Sequence, residues 1–131
     1  MRTPKFGAYT YTKNLVKDPE WADLQAAGQL VFTGEYAQLK GHLVKTWQDG
    51  GPEPSAVLAD MLQAIKNGMI DTVVMCAPKN LEPTDEEVGK YKTILDAGAE
   101  LHFVPGYGMD PEAVEGFSQG LAAAHSAVRK R

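Results

Sequence analysis

The chain has 131 residues, 44% of them apolar and 23% charged, with a formal net charge of −4. That is the size and balance of one folded domain with its own core, which excludes wholesale disorder and a general electrostatic pull toward nucleic acid. No apolar run approaches the roughly 20 residues needed to span a bilayer, the first residues lack an apolar stretch of signal-peptide length, and Cys76 alone makes neither an internal disulfide nor a thiolate metal cluster. A cytoplasmic setting without membrane attachment is expected.

In chain order, the aromatic and β-branched run FGAYTYT (residues 6–12) predicts a first strand. Asp18, Pro19 and Glu20 supply an N-cap, an N1 proline and an early acid for a short helix carrying Trp21 and Leu24, with Gly28 as its stop. LVFTGEY (residues 30–36) is expected to be the second strand. Residues 37–54 stay open: AQLKGHLVKTWQ suits a short helix or a hairpin, and DGGPEP is a loop. Trp47 there is either a core anchor or an exposed contact residue.

Ser55 caps the next helix, whose Val57, Leu58, Met61, Leu62 and Ile65 share a face and which Gly68 ends. MIDTVVMCA (residues 69–77) is apolar enough for a central parallel strand buried on both faces. Thr84 with Glu87 forms a capping box, and the helix behind it turns Val88, Tyr91, Ile94 and Leu95 inward before Gly98. AELHFVP (residues 99–105) reads as a fourth strand, and Asp110, Pro111 and Glu112 open a last helix. The alternation predicts a single three-layer α/β domain spanning 1–131, with a mainly parallel sheet of about four strands and right-handed crossovers.

AVLADMLQAIKNGMIDTVVMCAP and YKTILDAGAELHFVP, within and around residues 55–104, resemble the core of serine recombinase (resolvase) catalytic domains. KFGAYTYTKN sits where that family begins with a strand of the form G-Y-x-R-V-S. The resemblance implies the strand order 2-1-3-4. Matching Ala8 and Tyr9 to the Gly-Tyr of the motif places Tyr11 at the phosphate-binding arginine and Lys13 at the serine that attacks DNA. A lysine ammonium has no lone pair for attack at phosphorus. A one-residue slip puts Thr12 at the nucleophile instead.

The family's second motif, D-R-L-x-R, corresponds to PKNLE: Pro78 falls at the aspartate, Lys79 at the first arginine, Asn80 at the leucine and Glu82 at the second arginine. Glu82 would repel a phosphate there. The chain's arginines are Arg2, Arg129 and Arg131, all terminal, and lysine is a less specific phosphate ligand. Tyr11, Thr12, Lys13, Asn14, Lys79 and Asn80 are expected at the carboxyl ends of strands one and three, where open α/β sheets bind ligands. They would make at most a weak anion or nucleotide pocket.

DPEAVEGFSQGLAAAHSAVRKR resembles the start of the family's long dimerisation helix. Val114, Phe117, Leu121 and Val128 form a narrow apolar stripe and a candidate oligomer interface. No helix-turn-helix follows within these residues, so DNA binding by this chain alone is doubtful. His42, His102 and His125 have no metal-ligand spacing, Cys76 suits a buried strand end, and no cofactor or metal is implied.

The expectation is a resolvase-like domain without catalysis, acting through self-association or partner binding in a recombination or mobile-element setting. The alternative is a small-molecule or nucleotide protein, binder or altered enzyme, using the crevice around Lys13 and Lys79. A third reading keeps site-specific recombination with Thr12 as nucleophile.

Overall fold

Four parallel strands form the middle layer of the computed structural model, which describes residues 3–12, 19–50, 55–106 and 109–129. They are β1 (Lys5–Tyr11), β2 (His42–Asp49), β3 (Thr72–Cys76) and β4 (Glu100–Val104), in the order β2-β1-β3-β4. α1 (Pro19–Lys40) covers one face of the sheet, and α2 (Ala56–Lys66), α3 (Asp85–Asp96) and α4 (Pro111–Arg129) cover the other. The expected fold class and strand order are both present.

The pleat explains the two cores. Successive side chains of a strand point to opposite faces. Val73 and Met75 join Tyr9, Met61, Tyr91, Ile94, Phe103 and Val114 under α2, α3 and α4. Val74, between them, joins Phe6, Ala8, Ala37 and Val104 under α1. A strand buried on both faces has no place for a polar alternate, hence the apolar run VVM in β3.

The helix ends follow local chemistry. Ser55 Oγ accepts from Leu58 N at 3.0 Å and caps α2, while Gly68 takes φ +76 just past the helix end. Thr84 and Glu87 exchange reciprocal bonds, Glu87 N to Thr84 Oγ1 at 3.1 Å and Thr84 N to Glu87 Oε1 at 2.9 Å. This is the expected capping box.

Two expectations fail. LVFTGEY is not a strand, and Gly28 is not a stop: both lie inside the single helix α1, and the second strand is His42–Asp49. Phe32, Thr33, Tyr36 and Ala37 fall on one side of that helix, where Phe32, Tyr36 and Ala37 pack on the smaller core. Burial of that face overrides the strand preference of its residues. Thr33 Oγ1 donates to Gln29 O at 2.7 Å, so its hydroxyl is satisfied within the helix.

Val88 is a further miss. It is 43% exposed, and Lys90 occupies the inward position beside Tyr91 and Ile94.

Sheet spacing is set partly by Gly7. A Cβ there would lie 2.6 Å from Ile70 Cδ1 and 2.7 Å from the Trp47 ring. Those side chains close over β1 only because it carries none at this point. Trp47 is thus a core anchor, 4% exposed, with its indole N–H donating to Asp60 Oδ2 at 2.8 Å.

Candidate functional site

β1 and β2 end side by side, with Thr12 N donating to Asp49 O at 3.0 Å. β1 pairs with β3 only over Phe6, Gly7 and Ala8, so its last residues need other partners on that side. Gln29 of α1 serves Tyr11: Tyr11 N donates to Gln29 Oε1 at 3.1 Å, and Gln29 Nε2 donates to Tyr11 O at 3.3 Å. A side-chain amide thus stands in for a neighbouring strand and fixes the end of β1.

Asp49 is the centre of the site. It is 1% exposed, and its Oδ2 accepts from the Tyr9 hydroxyl and from Ser55 Oγ, the latter at 2.7 Å. Lys90 reaches it from α3, with Nζ 3.6 Å from the same oxygen, and is itself 4% exposed. The Lys90 ammonium also lies 4.9 Å from the centre of the Tyr11 ring, within cation–π range. Four elements therefore converge on one carboxylate at the strand ends. Ser55 does two jobs there, capping α2 and donating to Asp49.

The chemistry follows from charge and burial. The carboxylate and the ammonium at the strand ends are both buried and paired with each other, so an incoming phosphate meets no free positive centre from this cluster. Tyr91, next along α3, has a buried hydroxyl without a hydrogen-bond partner among the described residues, and burial, with Glu87 adding to it, pushes its acidity well below that of free tyrosine. Cys76 at the end of β3 has its thiol pushed up to about 12 by burial, so it stays protonated and inert at neutral pH.

Of the expected site residues, Tyr11 is buried against Lys90 and Thr12 is half-buried at the end of β1. Lys79 and Asn80 are exposed on a short 3-10 turn (Lys79–Leu81) just beyond β3. Asn80 and Leu81 there both take positive φ, 56° and 58°. Lys13 and Asn14 lie outside the described residues. Asp49, Ser55 and Lys90 were not singled out from the sequence as site residues. The one available signal was the lysine inside the inward stripe of α3, next to Tyr91.

In α4, Val114 is 1% exposed and Phe117 stacks edge-on to Phe103 at 5.1 Å, with Leu121 against the same core. These members of the apolar stripe hold α4 to its own sheet; the side chain of Val128 lies outside the described residues. His102 Nδ1 shares a hydrogen bond with the Tyr36 hydroxyl at 2.9 Å, and His125 Nε2 meets Asp96 Oδ1 at 2.8 Å. Both histidines tie elements together. Among the described residues no group of histidine, cysteine and carboxylates could hold a metal ion, and no helix is long and apolar enough to cross a membrane.

No protein-family model and no curated protein matches the chain. Solved structures do share its fold. The C-terminal catalytic domain of ISC1926 TnpA, an IS607-like serine recombinase, superposes with a TM-score of 0.54 at 15% identity, over 92% of this chain and 80% of that one. The N-terminal catalytic domain of TP901-1 integrase gives 0.55 at 17% identity, over 96% and 97%. A resolvase family site-specific recombinase from Streptococcus pneumoniae gives 0.56 at 16% identity, over 96% and 91%. At such identities the agreement is one of fold: four parallel strands in the order 2-1-3-4 between layers of helices, as in resolvase catalytic domains.

Proposed function

We propose that this chain, which has the fold of serine recombinase catalytic domains, carries out no strand exchange and works by self-association through α4, in a recombination or mobile-element setting like that of the proteins it resembles. The observation that carries the reading is the outward side of α4. Ala113, Gly116, Gly120, Ala123, Ala124 and Ala127 are all exposed and lie along one stripe of the helix, beside the apolar stripe that grips the sheet. Small residues let two helix backbones approach closely, so van der Waals contact replaces large side chains as the source of attraction. Absence of catalysis is supported by the Asp49 cluster, in which the buried ammonium of Lys90 is already paired with a carboxylate and so is not offered to a phosphate.

Size-exclusion chromatography with light scattering tests this. Wild type is expected at twice the 14.2 kDa chain mass in the micromolar range, and Gly120→Leu as a monomer. A Cβ at Gly120 meets nothing within 4 Å, so the substitution leaves the monomer intact and improves helix propensity by about 0.5–1 kcal/mol. Phe117→Asp would instead damage the core at Phe103 and report on folding. A wild-type monomer up to millimolar concentration would overturn the proposal.

A second reading, a small anionic ligand at the strand ends, draws on the exposed Lys79 and the left-handed Asn80 and Leu81 beyond β3. It predicts a rise in melting temperature with a nucleotide or phosphorylated metabolite that Lys79→Ala abolishes. No shift across such a panel would refute it.

A further inference from the structure

β4 is an edge strand: among the described residues it pairs with β3 and with no strand on its other side. Along a parallel strand the backbone groups of successive residues point to alternate sides. Glu100 N donates to Asp71 O at 3.1 Å, and Val104 O accepts from Ala77 N at 2.9 Å, so the even positions of β4 bond toward β3. Leu101 and Phe103 therefore direct their N–H and C=O outward. Such a row is a template for another extended chain unless something covers it.

A cavity of about 330 Å³ runs along this row. Tyr36 of α1 stands on one flank, and Glu115, Ser118 and Gln119 of α4 stand on the other. The groove is acidic. Glu100 and Glu115 both line it, and none of its described lining residues is lysine or arginine. The field of these two carboxylates, after burial itself, holds the Tyr36 hydroxyl above its ordinary pKa. Glu100 faces His102 Nε2 at 3.8 Å, and Glu115 accepts from Gln119 Nε2 at 3.1 Å, and both glutamates are exposed.

We propose that this groove takes an extended basic peptide from a partner protein as a fifth strand along β4. The peptide backbone would bond to Leu101 and Phe103, which supplies affinity without regard to sequence. Its successive side chains would alternate between the two flanks. One basic residue would reach Glu100 beside Tyr36, and the next would reach Glu115 beside Gln119, so the recognised element is a pair of adjacent lysines or arginines in an extended segment. The α4 residues facing this groove are not those of the small-residue stripe, so the site stands apart from self-association.

The test is fluorescence anisotropy of the full chain with a labelled Thr-Val-Arg-Arg-Val-Thr peptide. Saturable binding is expected, weakened roughly tenfold or more by Glu100→Lys with Glu115→Lys, by glutamates in place of the peptide's arginines, and by N-methylation of its alternate amides. Circular dichroism on the double variant checks that these exposed substitutions leave the fold intact. No saturable binding below millimolar peptide would overturn the proposal. So would an N-methylated peptide that binds as tightly as its parent, since that would make the contact charge attraction alone.

Discussion

Lys90 is 4% exposed, and its partner Asp49 is more buried still. Each makes the other tolerable. Replacing a buried pair with apolar residues of similar size is often neutral, but removing one member leaves the other charge uncompensated, at about 3–5 kcal/mol. Lys90→Met keeps the buried stem and removes the ammonium. It is expected to lower the melting temperature by roughly 10–20 °C for a domain of this size. Lys90→Met combined with Asp49→Leu should recover a large part of that loss, although Tyr9 and Ser55 then lose their acceptor. Thermal unfolding followed by circular dichroism measures both. Equal melting temperatures for the wild type and Lys90→Met would show that Asp49 does not need the ammonium.

Element by element, legibility depended on whether the deciding interaction was local. The Ser55 cap, the Thr84 and Glu87 box and the Gly68 stop were readable because each is settled within a few residues. VVM in β3 was readable because burial on both faces leaves an unbroken apolar run. α1 was not. Its second half is written in strand-forming residues, and only packing of Phe32, Tyr36 and Ala37 against Phe6, Val74 and Val104 makes it helical. β2 is hidden for the same reason, since a strand expected at residues 30–36 leaves His42–Asp49 without a role. In the site, Tyr11 and Thr12 were legible through the family resemblance, whereas Asp49, Ser55 and Lys90 meet only in space. Their sequence separations, 6 between Asp49 and Ser55 and 40 between Tyr9 and Asp49, give no spacing to recognise.

For the whole molecule, the decisive question is whether a fold shared with serine recombinase catalytic domains retains their reaction. The remaining hydroxyl at the expected place is Thr12, and its surroundings oppose the chemistry. Its Oγ1 is packed so closely on Gly50 that a Cβ there would lie 2.6 Å away, and its backbone is tied to Asp49. A pentavalent transition state carries more negative charge than its ground state and needs cations to hold it. The body of the chain from Thr3 to Val128 has no arginine to offset this. Incubation with duplex and single-stranded DNA, followed by denaturing electrophoresis, should therefore show no covalent protein–DNA species. A phosphothreonine-linked adduct that disappears in Thr12→Ala would reverse the conclusion, because it would require a cation supplied to the crevice from beyond the Asp49 cluster.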